Sequence, residues 1–268
     1  MYRIGLSTCF EPDEENFERL SKAGINAIEI CRPTKLHETI NYKELEMLSK
    51  KYNIELWSYH LPFGPFREID ISSPDKELRE HTIRYFSELI KKAGDIGIDK
   101  VVIHPSGEPI SDDVRAEKLK CSMDSLDRLA EIAFLEGVTI AVEDLPRTCL
   151  GNTADELAKI ISVNDKLRVC FDTNHLLSDN NVNFMRTLGD KIITVHVSDY
   201  DFINERHWLP GEGKVDWKEF MTEFNQIGYD GVWMYEVGLV CPPTIVRDRD
   251  LTFDDFYQNA HSIFNGGI

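Results

Sequence analysis

The chain has 268 residues, 42% of them apolar and 29% charged, enough to bury the core of one large α/β domain. Its 47 acidic against 30 basic residues leave a formal net charge of −17, a field that repels a phosphate backbone and counts against nucleic acid as a partner. No stretch approaches the roughly 18 consecutive apolar residues of a membrane span, and the N-terminal MYRIGLSTCFEPDEENF has neither the apolar segment of a secretory signal nor the acid-poor character of a transit peptide.

Compact apolar runs alternate with longer amphipathic stretches along the chain. A strand at 3–7 precedes a helix at 13–23, a strand at 27–31 a helix at 42–52, and a strand at 54–59 a helix at 75–96. The alternation continues as 100–104 with 111–136, 139–143 with 153–161, and 168–172 with 181–188. It ends as 192–196 with 216–226 and 231–236 with 252–264. Asn152-Thr153 followed by Asp155-Glu156 makes a helix start, and Gly24, Gly137 and Gly228 stand where left-handed caps close helices. Eight strand–helix units predict a single (β/α)₈ TIM barrel over residues 1–268, within the α/β class. No Gly-rich dinucleotide or P-loop fingerprint follows any strand, which removes the open-sheet competitor. The connections 61–74, 200–215 and 237–250 are long enough to form loops over the C-terminal face. The six cysteines (Cys9, Cys31, Cys121, Cys149, Cys170 and Cys241) are scattered without a CxxC, so reduced thiols and a cytoplasmic setting are expected.

Barrel active sites draw residues from several strands at the C-terminal mouth. Glu143, Asp172, His196 and Glu236 end the fifth to eighth predicted strands, in TIAVE, RVCFD, IITVH and WMYE. Adjacent strands stand about 5 Å apart, so the four side chains can converge on one ion. Three carboxylates and an imidazole make a hard, oxygen-rich set suited to Mn²⁺ or Mg²⁺, with Co²⁺ or Zn²⁺ able to substitute. A strand-end carboxylate also caps helices or pairs with loop cations, but four such groups at one rim are costly to leave unpaired. His60, His104, His175 and His207 fall at or near the same mouth and suggest a polar pocket able to contact several substrate hydroxyls or a second ion. Phe10, Trp57, Tyr59, Phe63, Phe66 and Trp208 are candidates for apolar walls, and Arg32 and Arg206 for contacts with an anionic group. For each, core packing or salt bridging is the competing role.

The segments VVIHPSG (101–107), AVED (141–144), CFDTNH (170–175), VHVSD (195–199), LPGEG (209–213) with Asp216-Trp217, and Tyr235-Glu236 carry a resemblance over the whole chain. In their order and strand placement the sequence resembles the xylose-isomerase-like barrel superfamily, in its sugar phosphate isomerase/epimerase branch. By resemblance to the ketose 3-epimerases, Glu143, Asp172, His196 and Glu236 hold one divalent ion, Glu143 and Glu236 act as the acid/base pair, and His175 contacts substrate oxygens. The implied substrate is a ketose, inosose or related polyhydroxy carbonyl compound, converted by proton transfer through an ene-diolate. Assembly into homo-oligomers is common among barrels of this resemblance. Inosose dehydratases and isomerases, hydroxypyruvate isomerases and keto-glycoside-processing enzymes share the site and differ in the loops. No glycine-rich phosphate cradle is evident, so a phosphorylated substrate is not required.

Two other functions compete. A metal-dependent phosphodiesterase of the endonuclease IV type needs nine ligand positions, for which the chain offers His60, His104, Glu143, Asp172, His175, His196, Glu205, His207 and Glu236. Glu205 stands where that family has aspartate, and the acidic balance argues against a DNA substrate. A non-catalytic binding or subunit role would keep the barrel but lose the acid/base pair, and both glutamates are present.

Overall fold

The computed structural model describes residues 2–8 and 10–267, so of the cysteines Cys9 lies outside the described residues. The first half of the chain folds as β1 (Arg3–Ser7), α1 (Glu14–Ala23), β2 (Ala27–Ile30), α2 (Tyr42–Tyr52), β3 (Glu55–His60), α3 (Lys76–Asp95), β4 (Lys100–Ile103) and α4 (Asp112–Leu135). The second half follows as β5 (Thr139–Glu143), α5 (Ala154–Ile161), β6 (Arg168–Asp172), α6 (Asn181–Leu188), β7 (Ile192–His196), α7 (Trp217–Phe224), β8 (Val232–Tyr235) and α8 (Phe253–Phe264). The eight strands are parallel in the order β7-β6-β5-β4-β3-β2-β1-β8. The ring closes through one parallel bridge, Val197 to Tyr235, where Val197 N–H donates to Met234 O (2.8 Å) and Glu236 N–H to Val197 O (3.2 Å).

The helix ends follow the chemistry of their flanking residues. Asp13, Thr153, Asn180 and Asp216 each accept a first-turn N–H, and Gly24 closes α1 at φ 82°. Each helix then buries one stripe on the strands. For α8 that stripe is Phe253, Phe256, Ala260 and Ile263, each apolar side chain worth about 1.5–3 kcal/mol when large and fully buried. Strand boundaries move where a side chain competes with the ladder. β2 stops at Ile30 because the Cys31 N–H turns to Thr8 Oγ1 (2.9 Å), while His60 stays in β3 opposite Val102. A 3₁₀ turn at Thr34–Thr39, not foreseen from periodicity, delivers His37 to the core. No helix among the described residues is long and apolar enough to cross a membrane.

The barrel interior changes character along its axis. At the N-terminal end Ala27, Trp57, Val232 and Met234 form an apolar plug. Gly5 is needed there, since a Cβ would meet Val232 Cγ1 at 2.6 Å. Trp57 was predicted to line the substrate pocket, and the structure corrects this. Its indole N–H donates to Thr194 Oγ1 (3.0 Å) and its ring lies 3.6 Å from the ammonium of Lys100, the first residue of β4. Trp57 therefore seals the bottom of the barrel, on the face away from the mouth. Val102, Ala141 and Cys170 pack the middle, and the polar side chains gather above them.

Candidate metal centre

Parallel pairing puts Glu143 opposite Cys170 and Asp172 opposite His196, so the ends of β5, β6 and β7 bring inward-facing groups to the mouth. Glu236 follows β8 directly, held by its N–H to Val197. Glu143, Asp172, His196 and Glu236 each offer one ligand atom, and these four atoms lie within 4.8 Å of one another. Glu143, Asp172 and His196 are fully buried. Glu143 Oε1 meets His196 Nδ1 at 2.8 Å, and Glu236 Oε2 lies 3.5 Å from the same nitrogen. One oxygen of Asp172 accepts the Asn174 N–H (2.7 Å).

The donor set fits a divalent cation. Asp172 Oδ2 and Glu236 Oε2 are buried and have no hydrogen-bond partner among the described residues. Such oxygens are normally satisfied, and an ion shared by both would satisfy them. Burial opposes the charge on Glu143, but the His196 and His104 rings outweigh it and hold the carboxyl well below the ordinary range. Burial wins at Glu236 and Asp172, which are raised.

The four predicted mouth histidines converge around this centre. His60 Nε2 and His104 Nε2 each lie 3.1 Å from Glu143 Oε2. His175 Nε2 faces Asp172 Oδ2 at 3.6 Å and Glu205 Oε2 at 3.5 Å. Backbone carbonyls accept from the other nitrogen of three rings: Leu61 O for His60 (2.8 Å), Asp144 O for His175 (2.8 Å) and Glu236 O for His207 (3.1 Å). His60, His104 and Glu143 form a second potential ligand group, His175, Glu205 and His207 a third, and Glu143, Cys170 and His196 a fourth. Arg147 Nη1 lies 3.0 Å from Glu205 Oε1, so the third group already holds a cation.

Arg206, predicted to contact an anionic group, is instead engaged by its own loop. Its Nε and Nη2 each donate to Asp201 Oδ2 at 2.8 Å, with the guanidinium 5.8 Å from the Trp208 ring. Arg32 likewise binds Glu11 and Phe10 O.

Three buried polar residues have no role assigned from sequence, although Asp144 and Asn174 lie in the segments that carry the resemblance. Glu29 sits in β2 and touches His196. Asp144 accepts the Asp172 N–H (2.8 Å), while Asn174 Oδ1 accepts the Arg206 N–H (2.7 Å) and so anchors the loop carrying His207. The available signal was a carboxylate inside the apolar run AIEI and a second acid directly after Glu143.

Residues 17–247 match the family model described as "Xylose isomerase-like TIM barrel". The chain belongs to the xylose isomerase-like TIM barrel family. It is similar to the uncharacterised protein MJ1311 of Methanocaldococcus jannaschii, 28% identical over 86% of this chain and 82% of that one. The D-psicose 3-epimerase of Ruminiclostridium cellulolyticum is 26% identical over 80% of this chain and 74% of its own. A probable endonuclease 4 of Thermoplasma acidophilum is 28% identical over only 62% of each chain. Among solved structures, a D-tagatose 3-epimerase-like protein superposes with a TM-score of 0.84 at 25% identity, covering 100% of this chain and 98% of that one.

In this xylose isomerase-like barrel a cavity of about 450 Å³ opens at the mouth, lined by Thr8, Cys31, Arg32, Pro33, Thr34, Phe63 and Gly64. Phe63 joins it to the centre, stacking on His104 with ring centroids 4.8 Å apart and meeting His60 edge-on at 5.2 Å. The cavity carries one cation, Arg32, already paired, and so lacks a free cation for a phosphate.

Proposed function

We propose that this protein is a divalent-metal-dependent sugar isomerase or epimerase acting on a ketose, inosose or related polyhydroxy carbonyl compound. One observation carries the reading: ligand atoms of Glu143, Asp172, His196 and Glu236 lie within 4.8 Å of one another, and two of their buried oxygens have no hydrogen-bond partner among the described residues. Two relatives give it further support: the D-psicose 3-epimerase of Ruminiclostridium cellulolyticum and the fructoselysine 3-epimerase of Shigella flexneri, the latter 23% identical over 94% of this chain and 99% of its own. The four residues hold the ion, with Mn²⁺ the best match to a hard oxygen-rich set and Mg²⁺, Co²⁺ or Zn²⁺ able to replace it. When bound, the ion polarises the substrate carbonyl and its neighbouring hydroxyl.

The chain's own groups do the rest. Glu143 and Glu236 enter from different strands, one removing the proton beside the carbonyl and the other returning it, through an ene-diolate. His60, His104, His175 and His207 contact substrate oxygens, and Phe63 excludes water above them. Incubation with a panel of unphosphorylated ketoses, aldoses, inososes and keto-glycosides in Mn²⁺ and D₂O tests the proposal. Turnover with deuterium entering at the carbon beside the carbonyl is expected. Turnover of a ketose without deuterium uptake removes the ene-diolate route.

A second reading, a phosphodiesterase of the endonuclease IV type, draws on the ligand groups around His60 and His207. The net charge of −17 and the Arg147–Glu205 contact inside one of those groups disfavour it. Cleavage of an abasic duplex by the pure protein would establish it, and intact duplex discards it.

A further inference from the structure

Glu29 is a fully buried carboxylate in the barrel interior, and neither the ligand set nor the acid/base pair uses it. Strand register lines it up with Ser7 on β1 and Ser58 on β3. Ser7 Oγ donates to Oε1 and Ser58 Oγ to Oε2, both at 2.8 Å, which fixes the plane of the carboxylate. Across the barrel, His196 Nε2 reaches both oxygens, at 2.9 and 3.1 Å. A buried carboxylate adds little net stability over a well-packed apolar residue. Its retention here, with both oxygens aimed at one ring, points to a task at that ring.

The ring differs from its neighbours. His60, His175 and His207 are anchored through Nδ1 by backbone carbonyls. His196 is turned the other way, with Nδ1 towards Glu143 and Glu236 and Nε2 towards Glu29. An ionised carboxylate only accepts, so the proton between Glu29 and His196 sits on Nε2. Nδ1 faces the Glu143 carboxylate in the same way, at 2.8 Å, and carries a proton of its own in the ion-free chain; an ion that displaces that proton leaves Nε2–H in place and a lone pair on Nδ1, as a ligand requires.

We propose that Glu29 is the positioning residue of the metal centre: clamped by Ser7 and Ser58, it accepts the Nε2–H of His196 and thereby fixes the tautomer and ring orientation that present Nδ1 to the ion. The inference rests on the reading that Glu143, Asp172, His196 and Glu236 hold a divalent cation. A carboxylate behind a metal-bound imidazole typically changes metal affinity about 10–100-fold.

The test measures Mn²⁺ affinity of wild type, Glu29→Gln and Glu29→Ala by electron paramagnetic resonance titration of free Mn²⁺, alongside urea unfolding of each metal-free protein. The expected order is wild type, then Gln, which keeps an acceptor for Nε2–H, then Ala, weaker than wild type by about 10–100-fold. A folded Glu29→Ala protein with wild-type affinity overturns the proposal, since a merely structural role would change unfolding alone. A measurement free of mutation accompanies it: long-range ¹H–¹⁵N spectra of the Zn²⁺-loaded wild type, with His196 protonated on Nε2 expected. Protonation on Nδ1 overturns the proposal, and this spectrum decides alone if Glu29→Ala does not fold. Wild type that binds no ion sinks the metal centre itself, whereas wild-type binding with indifferent variants sinks only the role of Glu29.

Discussion

Glu143 and His196, 53 residues apart, meet at 2.8 Å through Oε1 and Nδ1 while the other oxygen of Glu143 faces His60 and His104. The contact spans β6, because Glu143 and His196 end β5 and β7 and both point into the barrel. Asp172, Glu236, His60, His104, His175 and His207 all lie within one or two contacts of that pair.

The first prediction concerns the two glutamates. Glu143→Gln and Glu236→Gln keep side-chain volume but remove a charged ligand and a proton carrier. Each should lower kcat by about 10²–10⁴-fold, the usual worth of a positioned acid or base. Metal content by atomic emission should fall in both, and furthest in the double variant. Unchanged content in the double variant would contradict the four-ligand set.

Metal should also stabilise the fold. Three carboxylates share this small volume, so an ion that binds only the folded chain adds about 2.7 kcal/mol at a hundredfold excess over its Kd. Melting followed by circular dichroism should move upward by several degrees on adding Mn²⁺ to chelator-treated protein. The Glu143→Gln/Glu236→Gln double variant should show no such shift.

The sequence carried most of the fold because apolar runs and caps were unambiguous. The bounds of β1, β5, β6, β7, α2 and α6 were read to the residue, each a short apolar or amphipathic segment between polar breaks. Errors arose where a side chain rather than the ladder decides the end, as Thr8 does at Cys31. The site was legible in part for the same reason: strand ends mark the mouth. Depth was not legible. Trp57 and His60 share β3, but three residues correspond to about 10 Å along the strand, enough to separate plug from pocket. Arg206 was misread because its partner, Asp201, lies in a long loop whose internal contacts have no periodicity. Glu29 was overlooked because its meaning depends on His196, 167 residues away.

The loop after β7 offers a separate prediction. Asp199 is buried and accepts N–H groups from Tyr200 (2.8 Å), Gly211 (2.8 Å) and Val215 (3.1 Å) and from the Trp217 indole (2.9 Å). Asp199→Asn puts an amide donor against those donors and should cost roughly 1.5–3 kcal/mol. Because this loop carries His207, limited proteolysis should become faster within 200–215 and KM should rise more than kcat falls. A variant as protease-resistant as wild type would show that the loop is held by other means.

The last prediction is a pH dependence away from the metal centre. His37 is buried with Nε2 2.7 Å from Arg32 O and Nδ1 2.6 Å from Tyr59 Oη. The carbonyl accepts from Nε2–H, so the neutral ring is fully satisfied, taking the Tyr59 hydroxyl proton on Nδ1. Burial lowers its pKa from 6.5 to about 4, with the Arg32 carbonyl opposing the shift. The unfolded chain therefore binds the His37 proton more readily than the folded chain across that window. Above pH 6.5 the residue has no pH-linked effect, and as pH falls towards 4 the folded state is progressively disfavoured, by about 3 kcal/mol in all. Carboxylates also titrate in this range, so the diagnostic quantity is the stability gap between wild type and His37→Asn. Asn loses hydrogen bonds and should be less stable at pH 7, but it has no proton to gain. Urea midpoints should show the gap narrowing steadily from pH 7 to pH 4, and a gap that stays constant would mean that His37 is not held neutral by burial.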